Sequence, residues 1–175
     1  MEPSQLERFE AVVLPHLSAA YGLARYLTRN DADADDVVQE AFLRALRYFG
    51  SFRGEASQSR AWVLAIVRNT AHTWRRRHRA DASTMEFDET VHSEATADED
   101  PRSLLARRDS RAALAQVLDG LPHDLREVIV LREIEGLSYK EMSEVVDVPI
   151  GTIMSRLSRA RKRLQEALLV SGKER

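Results

Sequence analysis

Cysteine is absent from this 175-residue chain. That excludes disulfides, thiolate zinc sites and thiol nucleophiles, and with them any reason to expect an oxidising compartment. Glycine and proline are scarce, at seven and five residues, and aromatic residues make up 6%. Sheet folds need turn formers and β-branched or aromatic runs, so this deficit, set against abundant Ala, Leu, Arg and Glu, predicts an all-α protein with almost no strand. No apolar run approaches the roughly 20 residues of a membrane span. The N-terminal stretch MEPSQLERFEAVVLPHL carries acids where a secretory signal needs basic residues. The expectation is a cytoplasmic protein with no membrane insertion of its own. The five histidines are scattered, and there is no phosphate-binding glycine loop and no recurring Ser-His-acid spacing. No catalytic residue, cofactor or metal is therefore expected, and His72 and His78 are not read as a metal pair, for the stretch 68–79 that holds them has no acid or thiol.

Net charge is also small, −2, which at first sight speaks against a nucleic-acid binder. The average conceals a segregation. Residues 68–79 hold five arginines and no acid, residues 151–164 hold five Lys or Arg and no acid, and residues 81–100 hold eight Asp or Glu and no Lys or Arg. Two basic surfaces joined by an acidic connector are implied.

Helical periodicity divides the chain in the same way. Ser4 to Glu7 has capping-box spacing, Pro15 should kink or split the first helix, and the stripe Leu17, Ala20, Tyr21, Ala24, Leu27 ends near Asn30. A second helix is expected from about Asp33 to Phe49, a polar loop over Gly50 to Ser59, and a third helix from about Ser59 to His78. Residues 81–102 read as a flexible acidic linker. Patterning resumes near Ser103 and stops at Asp119-Gly120; Pro122 opens a segment through Glu135; two further helices, about Ser138 to Val146 and Gly151 to Leu169, flank the turn Asp147 to Ile150. No internal repeat is visible. The domains expected are residues 1–80 and 103–170, two small helical units either side of the linker.

The stretch LSYKEMSEVVDVPIGTIMSRLSRARKRL has the layout of a helix-turn-helix. On the wheel of its second helix Ile153, Leu157, Ala160 and Leu164 share an apolar arc, while Thr152, Ser155, Ser158, Arg159 and Lys162 lie opposite, with Arg156, Arg161 and Arg163 on the flanks. Residues near the start of such a helix meet base edges and later basic ones hold phosphates. Thr152, Ser155, Arg156 and Arg159 are the candidate base readers, and Lys162 and Arg163 the candidate phosphate contacts.

On the third helix Trp62, Val63, Ile66, Val67, Thr70 and Trp74 are expected to be buried, with Arg68, Asn69, His72, Arg75 and Arg76 opposite. Such a face suits a partly single-stranded nucleic acid, because it offers counter-charge and base-edge donors together. On the second helix Val37, Val38, Ala41, Phe42, Ala45 and Leu46 should pack inward, while Asp36, Gln39, Glu40, Arg44 and Arg47 point out. Leu43 points out among them, an apolar centre in a polar rim that has the anatomy of a docking spot.

Three segments, DADADDVVQEAFLRALRYFGSFRG, SRAWVLAIVRNTAHTWRRRHR and LPHDLREVIVLREIEGLSYKEMSEVVDVPIGTIMSRLSRARKRL, resemble in order and spacing regions two and four of extracytoplasmic-function sigma factors. The resemblance covers nearly the whole chain except the linker. It implies a region 2 helical bundle and a region 4 helix-turn-helix that direct promoter-specific transcription initiation, in stress response, with core RNA polymerase, promoter DNA and an anti-sigma factor as partners. It also implies that Asp35, Asp36, Gln39 and Glu40 dock on the polymerase clamp helices, which gives Leu43 a reason. Arg68, Asn69 and the residues that follow, with the loop Gly50 to Ser59, would melt and read the minus-ten element. Ser155, Arg156 and Arg159 would read the minus-thirty-five element, and Leu125 to Leu137 would lie near the polymerase flap. The chain departs from the family pattern at Thr73, where many members carry an acid, and at Met154, where relatives often carry a basic residue. The alternatives are a helix-turn-helix regulator acting without polymerase, against which the docking helix and strand-opening face discriminate, and a helical interaction adaptor that uses the same helices to bind protein partners, its basic faces then being solvation.

Overall fold

The computed structural model describes residues 3–81 and 111–173, and every regular element among them is helical. The acidic linker beyond Asp81 and the expected helix onset at Ser103, Leu104 and Leu105 lie outside the described residues.

Helix α1 (Pro3–Val13) begins one residue before Ser4, so that serine sits inside the first turn and not at the cap expected for it. A 3-10 turn at Leu14–His16 then separates α1 from α2 (Leu17–Thr28). Pro15 causes this break, since its ring removes an N–H and crowds the preceding turn. Arg29 ends α2 in the left-handed region at φ 64°, and its N–H returns to the Arg25 carbonyl. Asn30 caps α3 (Asp31–Tyr48), its Oδ1 accepting the Asp33 N–H at 3.1 Å, two residues ahead of the expected start. Asp31 and Asp33 lie in the first turn and Arg47 in the last, as the helix dipole favours.

The polar segment after α3 is more ordered than its composition promised. Phe52 is buried with its ring 4.8 Å from Trp62 and stacked 6.2 Å from Phe49, while Glu55 and Gln58 cap a short 3-10 turn reciprocally. Gly54 closes this loop over the ring: a Cβ there would stand 2.7 Å from Phe52. Helix α4 (Ser59–Asp81) follows, and α2, α3 and α4 pack around Leu23, Leu27, Val37, Val63, Leu64 and Val67. Ala20, Ala24, Ala34, Ala41 and Ala45 are buried between them, which lets the axes approach.

In the second half, residues 111–119 form α5, α6 (His123–Ile129) runs into a π-helical turn at Val130–Ile134, and Gly136 at φ 68° reverses the chain. Pro122 caps α6 in extended conformation and is not its first helical residue. Helix α7 (Tyr139–Val146) starts at Ser138, and α8 (Ile150–Lys173) follows a tight turn.

The two halves meet. Helix α4 packs on α7 and α2 packs on α6 and its π turn, so the buried apolar side chains of both halves form one connected cluster. This second set of neighbours corrects the expected buried arc of α4. Leu64 and Ala71 are buried along with Val63, Val67 and Thr70, whereas Trp62, Ile66 and Trp74 are only partly covered. No described helix is long and apolar enough to cross a membrane.

Candidate nucleic-acid interface

The turn between α7 and α8 is held by local bonds. Asp147 ends α7 in the left-handed region at φ 58°, the Ser143 hydroxyl donates to the Val148 carbonyl at 2.6 Å, and the N–H groups of Thr152 and Ile153 find the Pro149 carbonyl. This geometry fixes the start of α8 relative to α7. Ile153, Leu157 and Ala160 are then buried, which turns Ser155, Ser158, Arg159, Lys162 and Arg163 outward into solvent. Thr152 and Arg156 are half-buried, and Arg156 lies 3.9 Å from Asp124. Met154 stands exposed on the edge of the same face. Arg161 is tied instead to Glu133 at 2.7 Å.

On α3, Asp35, Asp36 and Gln39 face solvent, Glu40 pairs with Arg44 one turn on, and Leu43 is 67% exposed in their midst. Val37, Val38, Ala41 and Ala45 are buried, while Phe42 and Leu46 pack on the core from its margin. The outward position of Leu43 therefore follows from the pitch of a helix anchored on its other side.

The basic face of α4 is divided. Asn69 and Arg76 remain exposed, but Arg68, His72 and Arg75 turn toward the second half. Arg68 is only 15% exposed: its Nε donates to Glu127 Oε1 at 2.6 Å and its Nη2 reaches Oε2 at 3.4 Å. Glu127, on α6, is 1% exposed. His72 Nε2 lies 3.5 Å from the same carboxylate, and the rings of His72 and His123 meet edge to face at 4.7 Å. Burial pushes the Glu127 carboxyl up, yet its contacts with His72 and Arg68 outweigh burial and hold it below the usual range. Burial pulls His123 down to about 4, against the attraction of Glu127 and with help from Arg75, so that ring is neutral at pH 7. Further polar ties cross the same seam, Arg60 to Glu135 at 2.7 Å, Arg29 to Asp119 at 3.5 Å and Arg126 to the Tyr26 carbonyl at 3.4 Å.

The sequence reading did not single out Glu127, His123 or Glu135. A signal for Glu127 existed: it lies three and four residues before Val130 and Leu131, on the apolar side of its own helix, where an acid needs a partner. The segment Leu125 to Leu137 also turns out to be mostly interior. Leu125, Val128, Ile129, Val130, Leu131 and Leu137 are all buried, which leaves Ile134 as the large apolar group that a docking protein could reach.

Comparison with known proteins agrees with this geometry. The sigma-70 region 2 family pattern matches residues 12–80, and the sigma-70 region 4 pattern matches residues 111–164. The RNA polymerase sigma-H factor of Pseudomonas aeruginosa is 36% identical over 167 residues, spanning 91% of this chain and 86% of that one. The ECF RNA polymerase sigma-E factor of Escherichia coli K12 is 36% identical over 146 residues, 80% of this chain and 75% of the relative. Among solved structures, the sigma factor RpoE in complex with the anti-sigma factor NepR from Bartonella quintana gives a TM-score of 0.73 at 29% identity, covering 94% of this chain and 98% of the other. CnrH in complex with the cytosolic domain of CnrY gives 0.68 at 27% identity, covering 94% and 90%. With both halves matched in order and two relatives above one-third identity across most of their length, the chain belongs to the extracytoplasmic-function sigma factors of RNA polymerase.

Proposed function

We propose that α3 docks on core RNA polymerase through Asp35, Asp36, Gln39, Glu40 and Leu43, that the α4 face of Arg68, Asn69, His72, Arg75 and Arg76 opens the minus-ten element, and that Thr152, Ser155, Arg156, Ser158, Arg159, Lys162 and Arg163 on α8 bind the minus-thirty-five element. The division of labour follows residues 1–80 and 103–170, with 81–102 as an acidic connector that crosses the basic channels of the polymerase as a phosphate mimic. Work at core polymerase places the protein in the cytoplasm.

The observation that carries this reading is the exposure of Leu43 among acids on α3 together with the open, basic face of α8. Free Lys and Arg displace counterions from phosphate, and an arginine held in register discriminates a guanine by about 1–3 kcal/mol. The compact arrangement supports a further element, control by an anti-sigma factor. Glu127 occupies Arg68, so the proposed minus-ten face is partly covered and must be uncovered before DNA can be opened. A protein that held the two halves together would keep it so. Two similar structures are complexes, one of the sigma factor RpoE with the anti-sigma factor NepR and one of CnrH with the cytosolic domain of CnrY.

Run-off transcription with purified core polymerase tests the assignment. Arg159→Ala should lower transcription from the selected promoter about tenfold or more while core binding is retained, a loss of the size that one bidentate base contact supplies. Leu43→Asp should weaken core binding with an unchanged melting temperature. Loss of core binding in the first variant, or collapse of the fold in the second, would contradict the reading.

A further inference from the structure

The interface between α4 and α6 contains two groups that the fold leaves poorly satisfied. The Nε2 atoms of His72 and His123 are both closed to solvent and make no well-formed hydrogen bond among the described residues, that of His72 having only the Glu127 carboxylate 3.5 Å away. Leaving a buried polar atom without a good partner is costly, and two side by side call for something that satisfies both. Beside them stands the Glu127 carboxylate, buried and ionised. One nitrogen from each ring and one carboxylate oxygen all lie within 4.8 Å of one another.

We propose that His72, His123 and Glu127 form a site for a divalent transition metal of the zinc type, and that occupation of this site clamps the two halves of the chain together. Its consequence for promoter opening rests on the role given above to α4; the binding itself does not. His123 and Glu127 are four residues apart on α6 and so present their ligand atoms on one face of a helix. His72 comes from the other half, so no ion could hold all three ligands unless the halves stayed closed. Zinc bonds of about 2.0–2.1 Å place tetrahedral ligand atoms roughly 3.3 Å apart. His72 Nε2 and Glu127 Oε1 are already 3.5 Å apart. The widest gap has to shrink by roughly 1.5 Å from the 4.8 Å limit, which side-chain rotation on two facing helices can supply.

Two imidazoles and one carboxylate form a borderline set that favours zinc, cobalt or nickel over magnesium and calcium, which prefer oxygen alone. Three protein ligands leave a fourth position for water. Arg68 has a place in this arrangement. Ligating carboxylates are themselves hydrogen-bonded, and Arg68 supplies that second contact, its Nε donating to Oε1 at 2.6 Å and its Nη2 reaching Oε2 at 3.4 Å. Its positive charge, with that of Arg75 near His123, opposes a cation, so binding should be weaker than at a closed four-ligand structural site.

The test uses the untagged full chain, stripped with chelator and titrated calorimetrically with zinc chloride. One zinc per chain is expected, magnesium should give no heat, and cobalt should give tetrahedral visible bands. His123→Ala and His72→Gln should each weaken binding at least tenfold, whereas His78→Gln, outside the cluster, should leave it unchanged. X-ray absorption at the zinc edge of the loaded wild type reads two imidazoles and an oxygen ligand without any substitution, and so decides the matter even if a variant fails to fold. No zinc uptake, binding indifferent to both histidines, or a zinc shell without imidazole would overturn the site. Run-off transcription by the stripped chain separates the two readings: activity there with no zinc uptake sinks the metal site alone, and zinc uptake without activity sinks the functional assignment alone.

Discussion

Arg126 reaches back into the turn that precedes its own helix. Its Nε donates to the Leu118 carbonyl at 2.9 Å, and its Nη2 to those of Leu121 at 2.9 Å and Asp119 at 3.0 Å. The Leu118 and Asp119 carbonyls end α5 and that of Leu121 lies in the turn beyond it; Leu118 also accepts the Leu121 N–H at 3.1 Å, and the buried guanidinium completes the cap. Arg126→Met keeps the apolar stem and removes every donor. It should lower unfolding free energy by about 2–3 kcal/mol, read from urea denaturation, because hydrogen bonds to a charged group are lost and their acceptors stay buried. An unchanged urea midpoint would mean that water takes over the carbonyls. Residues of this kind were poorly legible in the sequence. Arg126 and Glu127 stood inside an apolar run, and their irregularity was visible, but the partners of Glu127 lie on α4, 59 residues away in the case of Arg68. Only the packing of one half on the other brings His72 to His123 and Glu127, which is why no acid seemed available to it. Arg159 and Leu43 could be placed because their orientation depends on helical pitch alone.

At the scale of the element, spacing and stops such as Asp119-Gly120 and Val146 were readable, whereas the starts at Ser4, Asp33 and Pro122 shifted by one or two residues. The short helix α7 has eight residues, too few to be stable by propensity, and it relies on its cap and its packing. Ser138 Oγ accepts the Glu141 N–H at 3.2 Å while Glu141 Oε2 accepts the Ser138 N–H at 2.7 Å, a reciprocal closure of the first turn. Ser138→Ala should therefore cost about 1 kcal/mol of stability. The loss should also appear as faster amide exchange across α7 before it is seen in α3; uniform change across the chain would argue that the cap acts on the whole fold. The cap sits where the helix start was expected, because Ser and Glu three apart act through local bonds. The π turn at Val130–Ile134 left no such mark, since it responds to how α6 must pass α2. The ordered loop before α4 was hidden for the same reason: its polar composition masked Phe52, which only the Phe49 and Trp62 rings make interior.

The whole molecule balances an apolar cluster shared by both halves against a charge pair set inside it. Removing one member of a buried pair strands the other, which costs about 3–5 kcal/mol if the surroundings stay shut. Glu127→Gln would strand Arg68 in this way. The chain has a cheaper response, because Arg68 lies at the boundary between halves and can regain water if they part. Its penalty is then limited to the free energy that keeps them together. In chelator, so that no cation contributes, Glu127→Gln should raise the radius of gyration in solution scattering while each half keeps its helicity. It should also bind core polymerase more tightly than the wild type, since a competent state that is already populated no longer discounts the apparent affinity. A lowered melting temperature with unchanged dimensions would show instead that the halves share one cooperative core, and that uncovering the proposed minus-ten face demands a partner strong enough to pull it apart.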